Sequence, residues 1–445
     1  MSDDTGYVNL KYRPNNNDLI TEFYVEPNNI SIEQASENIA SESSIGTWTD
    51  ICTMQPEIAK KLKPSVYSIS KINAGAGLNN VSNITGKGNA AIIKIAYPSE
   101  LFEDGNMPQI LSSIAGNIFG MKCVNNLRLN DIVFPRKLVK SFKGPEFGIE
   151  GIRKLTKVKH RPLLGTIIKP KVGLPPELHA KVAYDAWVGG CDIVKDDENL
   201  SSMSFNNFDE RIRLTLAMRD KAQQETGEVK IYMPNISAEY SEMVRRADFI
   251  KAHRGTYMMI DILTVGWSAL QGIRNLNKNL VIHAHRAGHA ILTRNPKHGM
   301  SMLAIAKAAR LVGTDQLHIG AVVGKMEGGA SETTEIEHEI VKDSAMSRNA
   351  LRQNWYGMKS VLPVCSGGLH PGHVPELIKI MGKDIVIQMG GGIHWNPKGT
   401  LRGARGARQA VEAVIKGKRL VDYAKAPCHE ELREALEKFC PQNCK

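Results

Sequence analysis

The sequence predicts an α/β fold in which a (β/α)8 barrel follows a smaller α+β domain. From Leu163 onward, eight short apolar runs alternate with helical segments, as a closed barrel of eight strand–helix units requires. Before that point, strand-like and helix-like stretches do not alternate strictly. The chain has 445 residues, and at roughly 150 residues per domain this accommodates a barrel and one small domain. An open, doubly wound sheet is the alternative, but eight units fit closure better.

The composition is that of a folded protein with an unremarkable surface. Hydrophobic residues make up 42% and charged residues 23%, which excludes a mostly disordered chain. No run approaches the ~18 apolar residues of a membrane span, and the acidic, polar start does not look like a secretory signal, so the expected location is cytoplasmic. The net charge of +11 fits an anionic substrate or a solvated surface better than nucleic acid, because no basic helix with interleaved aromatics is present.

Residues 1–134 are predicted to form the α+β domain. The segments 19–27 and 90–98 have the β-branched and aromatic content of strands. Ser31 opens a helix with Glu33 in its first turn. Residues 107–120 have helical apolar spacing and end at Gly120. The basic segment 135–162, broken by proline and glycine, is predicted to connect the two domains.

Residues 163–425 are predicted to form the barrel, and residues 426–445 a helical tail around EELREALEKF. Between the strands lie segments with helical apolar spacing, such as ELHAKVAYDAWVGG. The predicted strands are LLGTIIK, CDIVK, KIYMPNI, YMMIDI, LVIHAH, QLHIG, VLPVC and DIVIQM.

The carboxyl ends of these strands are unusually polar. Chemistry in a (β/α)8 barrel is located at this end. Taken singly, each group has an ordinary explanation: a solvated lysine, a structural histidine, a charged turn or a tight glycine turn. Their convergence on one face of one barrel instead indicates an active site. The groups are Lys169 and Lys171, the run Lys195-Asp196-Asp197-Glu198, His283-Ala284-His285-Arg286, His318, Ser366-Gly367-Gly368, and Gln388 with Gly390-Gly391-Gly392.

The second strand end carries groups suited to a divalent cation. Asp197 and Glu198 are hard oxygen ligands of the kind that Mg²⁺ prefers. Lys195, two residues before Asp197, points to the same side of an extended strand. A protonated lysine would be repelled by the cation, so Lys195 is either a neutral base or is modified into an anionic ligand. Lys169 and Lys171 share a face in the same way, and crowding of cations makes an acid/base lysine plausible there.

Other strand ends offer anion-binding groups. Arg286, with His285 and His318, can donate hydrogen bonds to a phosphate or an enediolate. The backbone amides of the two glycine turns, 367–368 and 390–391, can cradle phosphates. Two cradles around one metal indicate a bisphosphorylated small molecule. The segment 320–330, with flexible glycines around Lys325, fits either a lid over the substrate or an exposed turn.

These motifs together resemble a known family. GGCDIVKDDE, GTIIKPKVGL, HAHRAGHA, HIGAVVGKMEG, SGGLHPGH and QMGGGIHWNP occur here in that family's order, and SESSIGTWTD and GNIFG match its N-terminal half. The chain resembles the large subunit of ribulose-1,5-bisphosphate carboxylase/oxygenase, Rubisco, over nearly its whole length. It looks most like the archaeal-type, form III enzymes, which are linked to salvage of nucleotide-derived ribose. Gly288 and Ala321 depart from the family's usual residues at positions without a chemical role.

The resemblance implies Mg²⁺-dependent carboxylation and oxygenation of ribulose 1,5-bisphosphate. Lys195 would react with activator CO₂ to form a carbamate, which would bind Mg²⁺ with Asp197 and Glu198 and remove the substrate's C3 proton. Proton transfers would involve Lys169, supported by Lys171, and His285. Lys325 on the lid would hold the incoming CO₂.

The resemblance also implies a substrate-binding set and an assembly. Glu42 and Asn117 would complete the site of a neighbouring subunit, so a homodimer or an oligomer of dimers is expected. The implied partners are ribulose 1,5-bisphosphate, CO₂ and O₂, with no small subunit, nucleic acid or membrane. The implied substrate-binding residues are Glu42, Thr47, Trp48, Asn117, Thr166, Arg286, His318, Ser366, Gly367, Gly368, Gln388, Gly390 and Gly391.

Two other functions are compatible with parts of the sequence. A Rubisco-like protein would enolise or isomerise a phosphorylated sugar without fixing CO₂, but such relatives usually lose several active-site residues that are all present here. A basic nucleic-acid-binding or scaffolding protein would have charge clustered on one surface and salt-dependent binding to unrelated oligonucleotides.

Overall fold

The computed structural model describes residues 6–49, 51–72, 90–276, 278–323, 330–345 and 350–440. The chain divides into two compact units. Unit 1 is drawn from Met1–Gly144, Gly288–Val312 and Lys342–Met358, and unit 2 from Pro145–Ala287, Gly313–Val341 and Lys359–Lys445.

Within the described ranges, strands and helices mostly alternate in unit 2 as far as β15, after which only helices follow, and they are mixed in unit 1. The strands are β1 (Asp18–Pro27), β2 (Ser65–Lys71), β3 (Ala91–Pro98), β4 (Val124–Val133), β5 (Leu163–Ile167), β6 (Ile193–Lys195), β7 (Ile231–Met233), β8 (Tyr257–Asp261), β9 (Val281–His285), β10 (Gly299–Met300), β11 (Gln316–Gly320), β12 (Ser344–Ala345), β13 (Gln353–Asn354), β14 (Leu362–Ser366) and β15 (Val386–Met389). The helices are α1 (Ile32–Glu42), α2 (Pro56–Leu62), α3 (Met107–Ile114), α4 (Arg136–Ser141), α5 (Gly148–Thr156), α6 (Pro176–Val188), α7 (Phe208–Thr226), α8 (Tyr240–Ala252), α9 (Ile262–Asn275), α10 (Ala290–Thr293), α11 (Met302–Val312), α12 (Ala330–Val341), α13 (Val374–Met381), α14 (Gly391–His394), α15 (Thr400–Ile415), α16 (Leu420–Tyr423) and α17 (Glu430–Phe439).

Unit 1 contains a five-stranded sheet in the order β10-β4-β1-β3-β2. The central strand β1 pairs antiparallel with both β3 and β4, and its Phe23 is fully buried. Helix α1 packs against β1. It begins as predicted: the Ser31 hydroxyl oxygen accepts from the Gln34 backbone amide, and the Ser31 backbone amide donates to Gln34 Oε1, which completes a capping box.

The helix predicted over 107–120 is shorter than expected. Helix α3 ends at Ile114, and a separate 3₁₀ turn covers Asn117–Gly120. Between them Gly116 has φ −94° and ψ −121°, which is not helical. Its backbone lies so close to the Ser112 carbonyl that a side chain would clash there. The glycine that looked like part of a helix therefore makes the break.

The segment predicted as a connection, 135–162, contains the helices α4 and α5. Helix α5 is amphipathic: Ile152 is buried, whereas Lys154 is exposed. The basic residues that suggested a loop thus occupy the solvent face of a helix.

Unit 2 contains an eight-stranded parallel barrel, as the sequence predicts. The order is β7-β6-β5-β15-β14-β11-β9-β8, and each of the eight predicted strands takes part. The sheet closes between β7 and β8 through an isolated bridge of Asn235 with Met259. There the Met259 amide donates to the Pro234 carbonyl at 2.8 Å, and the Ile236 amide donates to the Met259 carbonyl at 3.0 Å.

The barrel interior and its outer helices follow the apolar pattern of the sequence. Helices α6 to α9 each contact the strand that follows them in the chain. The tail helix α17 is amphipathic and packs on α15, with Leu432 and Leu436 buried. The core cluster at one end of the barrel consists of Ile152, Leu163, Ile193, Ile231, Met233, Tyr257, Val281, Leu362, Val364 and Val386.

A search of the described helices finds none that combines the length and apolar character needed to cross a membrane.

Candidate active site

Lysines and carboxylates from the first two barrel strands meet just beyond the strand ends. Lys169 Nζ lies 2.8 Å from Asp197 Oδ2. Glu198 is flanked by two lysines, with Lys171 Nζ at 3.8 Å from Oε1 and Lys195 Nζ at 3.9 Å from Oε2. The predicted groups of β5 and β6 therefore do come together.

Lys195 is the last residue of β6 and is fully buried. Its Nζ donates to the Asp196 carbonyl at 2.6 Å. Burial lowers the pKa of Lys195, although the charges of Glu198 and Asp197 oppose this shift. The low pKa favours a neutral amine, whose lone pair can act as a base or a nucleophile.

Asp197 is held in its ionised form. Burial alone would raise the pKa of Asp197, but the hydrogen bond and charge of Lys169 outweigh burial and lower it. The Asn199 backbone and side-chain amides donate to Oδ1 at 3.2 and 3.0 Å. The other carboxylate oxygen, Oδ2, accepts from Lys169 Nζ.

The donor set fits Mg²⁺ with two protein carboxylates, which leaves the rest of the coordination shell to waters and substrate oxygens. Asp197 and Glu198 are adjacent carboxylates, and Lys195 lies beside them. Among the residues that the structure describes, no group of three or more His, Cys, Asp or Glu side chains could hold a metal ion. An anionic group formed on the Lys195 side chain would add a third oxygen donor beside these carboxylates.

Strands β9, β11 and β14 contribute a chain of hydrogen-bonded side chains. Gln316 Oε1 lies 2.8 Å from His283 Nδ1, and His283 Nε2 lies 2.9 Å from His318 Nε2. His318 Nδ1 then lies 2.8 Å from Ser366 Oγ. Burial lowers the pKa of His283 to about 3 and that of His318 well below its usual value. Both rings are therefore neutral near pH 7 and bind by hydrogen bonding.

His285 faces the carboxylates and also packs edge-on against His318 of this chain, with ring centroids 4.7 Å apart. Its Nε2 lies 3.7 Å from Glu198 Oε2, and its Nδ1 lies 2.9 Å from Asp261 Oδ1. Asp261 also accepts a hydrogen bond from Ser237 Oγ at 3.2 Å. Sequence reasoning missed Asp261, although an acidic residue ending the strand YMMID was a usable signal.

Arg286 follows directly after β9 and packs against the end of β11. A Cβ at Gly320 would lie 2.9 Å from Arg286 Nη2, so the close approach depends on glycine there, at φ +95°. Burial lowers the pKa of Arg286 to about 10, with Glu332 opposing the shift. A guanidinium with this poor solvation gains from an anionic ligand.

The last strand and its glycine turn lie beside the first strand. Gly165 of β5 packs on Gln388 of β15, where a Cβ would lie 2.8 Å from the amide carbon. Neither amide atom of buried Gln388 has a hydrogen-bond partner within the described part of the chain. Gly390 lies against the Lys169 side chain, where a Cβ would be 3.3 Å from Cε. In the neighbouring turn, Gly367 and Gly368 have φ of +121° and +67°.

Asp196 is a second residue that sequence reasoning left without a role. It is fully buried and points away from the carboxylates. It accepts hydrogen bonds from Tyr232 Oη at 2.6 Å, the Asn235 amide at 3.0 Å and Arg211 Nε at 3.2 Å. His179 Nε2 lies 3.1 Å away. Alternation along the strand was the available signal, because it turns Asp196 to the side opposite Lys195 and Asp197.

Four candidate residues belong to unit 1, and one falls outside the description. Glu42 is the last residue of α1, and Thr47 and exposed Trp48 follow it. Asn117 begins the 3₁₀ turn against which α1 packs. Lys325 lies outside the described residues.

Comparison with known proteins agrees with this architecture. Residues 148–439 match the family described as ribulose bisphosphate carboxylase large chain, catalytic domain, and residues 6–138 match the corresponding N-terminal domain. A protein named ribulose bisphosphate carboxylase from Methanocaldococcus jannaschii is 52% identical over 434 residues, covering 97% of this chain and 99% of that protein. A protein of the same name from Pyrococcus abyssi is 46% identical over 435 residues, covering 97% and 96%.

Solved structures give the same result. The sulfate complex of octameric Rubisco from Pyrococcus horikoshii OT3 has a TM-score of 0.88 and 45% identity, covering 97% of this chain and 96% of that one. The dimeric archaeal Rubisco from Hyperthermus butylicus has a TM-score of 0.89 and 42% identity, covering 97% and 98%. The eight-stranded barrel, its polar strand ends and these near-full-length matches lead to one conclusion: the chain belongs to the ribulose bisphosphate carboxylase large-chain family.

Proposed function

We propose that this protein carboxylates ribulose 1,5-bisphosphate to give two molecules of 3-phosphoglycerate. The observation that carries the proposal is a fully buried lysine of lowered pKa, Lys195, beside the carboxylates of Asp197 and Glu198. The names of the relatives at 52% and 46% identity support the same activity.

The first step is activation of Lys195. The neutral Nζ attacks the carbon of CO₂ and loses a proton, so that a carbamate forms and the residue changes from a base into an anion. The carbamate, Asp197 and Glu198 would then be the protein ligands of Mg²⁺. When bound, Mg²⁺ would polarise the substrate's carbonyl oxygen and stabilise negative charge developing there.

Proton transfers follow from the groups around the carboxylates. The Lys195 carbamate is proposed to take the C3 proton of the substrate, which leaves an enediolate. Lys169, 2.8 Å from Asp197, is proposed to protonate the final carbanion, with Lys171 supporting it. His285, oriented by Asp261 at 2.9 Å, is proposed to move protons at the substrate hydroxyls. Lys325 is proposed to hold the incoming CO₂, and oxygenation of the same enediolate is the proposed side activity.

The remaining candidates are proposed to bind the two phosphates and the sugar. Arg286, His318 and Ser366 supply donors for one phosphate. The amides of the two glycine turns, with Thr47 and Trp48, are assigned to the other. Thr166, Gln388, Glu42 and Asn117 complete the set.

An assembly of at least two subunits is part of the proposal. The Hyperthermus butylicus relative is described as dimeric and the Pyrococcus horikoshii relative as octameric. Glu42 and Asn117 are proposed to act in the site of the neighbouring subunit, without a small subunit. Salvage of nucleotide-derived ribose is the proposed physiological setting.

The test is incorporation of ¹⁴CO₂ into acid-stable product. The purified protein is preincubated with bicarbonate and Mg²⁺ and then given ribulose 1,5-bisphosphate. Lys195→Ala is run beside it, with Lys181→Ala as the matched control, because Lys181 is an exposed lysine of the same unit that contacts Asp185 and the Tyr184 ring on its own helix.

Label in 3-phosphoglycerate that is lost in Lys195→Ala and kept in Lys181→Ala is the expected result. No incorporation by the wild type, with ribulose 1,5-bisphosphate still bound, would contradict carboxylation. A Rubisco-like enolase or isomerase would then be the better assignment, and a screen of other phosphorylated sugars would follow.

A further inference from the structure

The turn after the last barrel strand starts with a run that has no side chains to hold it in place, whereas Trp395 and Asn396, farther along, contact the tail helix α17. The turn begins with Gly390, Gly391 and Gly392, and Gly399 closes the segment at φ +104°. Glycines allow the backbone many conformations but supply no side chain that could fix one of them. The first side chain after them is the buried, apolar Ile393, and the next is His394, the last residue of the short helix α14.

The His394 ring bridges two other elements of the barrel. Its Nε2 lies 3.0 Å from Thr166 Oγ1, on the buried first strand β5. Its Nδ1 lies 3.0 Å from Thr400 Oγ1, on the first residue of α15. One imidazole therefore joins the glycine turn, the neighbouring strand and the next helix.

The directions of these hydrogen bonds follow from one carbonyl group. Thr166 Oγ1 lies 2.7 Å from the Met389 carbonyl, which can only accept, so the hydroxyl hydrogen points there. Thr166 then accepts from His394, which places the ring hydrogen on Nε2; the His394 ring is also hydrogen-bonded to the backbone of Ile167, the last residue of the same strand. Nδ1 is left as an acceptor for the Thr400 hydroxyl. Burial lowers the pKa of His394 to about 4, so the neutral ring that this chain needs is present near pH 7.

The glycine turn is also confined from its other side. Gly392 lies against the backbone of Leu369 and His370, in the loop that follows β14, so closely that a side chain would clash. Packing limits where the turn can go, whereas the His394 hydrogen bond selects one position relative to β5. The backbone amides of Gly390 and Gly391 depend on that position for their direction.

We infer that His394 is a positioning residue that fixes the Gly390–Gly391 turn against Thr166 and thereby sets the affinity of the site for one phosphate group of the substrate. The inference rests on the proposed function for the phosphate role of the turn. His394 does not touch the reacting carbon atoms, so its loss weakens binding far more than it slows the chemical step.

The test compares two replacements of His394. His394→Phe keeps the ring shape without a donor, and His394→Gln places an amide N–H close to the position of Nε2. We expect His394→Phe to raise the KM for ribulose 1,5-bisphosphate by about 10-fold or more, with kcat within about 3-fold, because small displacements of positioning groups have effects of this size. His394→Gln should restore KM to within about 3-fold. His253→Phe is the control, because His253 bonds only to the Phe249 carbonyl of its own helix.

A second arm asks whether His394 acts through Thr166. Thr166→Val alone should raise KM, and adding His394→Phe to it should raise KM no further, since residues that act as one unit are not additive. A wild-type KM in His394→Phe, failure of Gln to rescue, or fully additive effects would each overturn the inference.

Crystal structures of the two variants provide a readout that needs no turnover. The Gly390–Gly391 turn should shift away from β5 in His394→Phe and stay in place in His394→Gln. An unmoved turn in His394→Phe would refute the positioning role even if the wild type carboxylates ribulose 1,5-bisphosphate. A shifted turn in an enzyme that lacks carboxylase activity would instead refute only the proposed function.

Discussion

Replacing Asp196 by Asn should destabilise the barrel next to the candidate metal ligands. The Asp196 carboxylate is fully buried and accepts from Arg211 Nε at 3.2 Å and Tyr232 Oη at 2.6 Å. Asn keeps the shape but removes the charge, which leaves the buried Arg211 guanidinium without its anion. Breaking a buried ion pair in this way costs about 3–5 kcal/mol. Since Asn can still accept one hydrogen bond, we expect about 3 kcal/mol.

The assay is thermal unfolding at a fixed heating rate, followed by circular dichroism. At about 2 °C per kcal/mol for a unit of this size, Asp196→Asn should lower Tm by roughly 6 °C. Asp220→Asn is the matched control, because Asp220 also pairs with an arginine Nε, at 2.9 Å, but its side chain is 49% exposed. Although Arg219 is buried, solvent screens the half-exposed Asp220 carboxylate, and Arg219 keeps its hydrogen bond to the Arg254 carbonyl at 2.9 Å. The control should therefore shift Tm by less than about 2 °C.

The stabilisation that Asp196 provides should depend on pH. Burial raises the pKa of Asp196, but Arg211 and the hydrogen bonds outweigh burial and hold it well below its usual value of 3.8. The unfolded chain therefore binds this proton more readily than the folded one. The stabilisation is complete above about pH 4 and is lost as the pH falls toward the folded-state pKa. Equal Tm values for Asp196→Asn and Asp220→Asn at pH 7, or a gap that widens in acid, would refute the reasoning.

Three further outcomes are expected. Gly165→Ala should cost about 1–3 kcal/mol, measured as a lower Tm, because its Cβ would lie 2.8 Å from the buried Gln388 amide; an unchanged Tm would contradict the tight packing. In the wild type, Lys307 Nζ lies 2.6 Å from the buried Asp131 carboxylate. The single variant Lys307→Met leaves that carboxylate without its cation, so it should have a lower Tm than the double variant Lys307→Met with Asp131→Leu. A double variant less stable than the single one would count against this. Chelation with EDTA should abolish ¹⁴CO₂ incorporation, and added Mg²⁺ should restore it. Asp197→Asn, which removes the charge of a proposed ligand, should raise the Mg²⁺ requirement by more than the roughly 10-fold lower limit for groups that only support a ligand; full activity in EDTA would rule out the metal.

Much of the barrel was predictable because its signals are local. Each parallel strand is a short apolar run with polar residues at its carboxyl end, and each helix has its own apolar spacing. The capping box at Ser31 is likewise contained within four residues. In unit 1, strand β4 gave no such signal, because its sequence VNNLRLNDIV is mostly polar at one end. Its pairing with β1 is a long-range contact that local patterning does not encode.

In the candidate site, too, local sequence signals were predictable and long-range contacts were not. Lys195 and Asp197 are two residues apart, so extended geometry places them on one side, and Glu198 reaches the same site from the loop after the strand. Asp261 and His394 come from distant parts of the chain, and each gains its role from a hydrogen bond to a residue on another strand. Sequence reasoning could mark these positions as polar residues at strand ends, but it could not identify their partners.

Asn235 contributes both to the closure of the barrel and to the loop that carries the carboxylates. Its backbone makes the isolated bridge to Met259, and its amide nitrogen donates to the Glu198 and Leu200 carbonyls, both at 3.2 Å. The residue that closes the barrel therefore also holds the backbone of the loop that carries the carboxylates. A substitution at Asn235 cannot alter folding and catalysis separately. In a mutational survey this position should tolerate few replacements, and variants selected there for heat resistance should carry an activity defect.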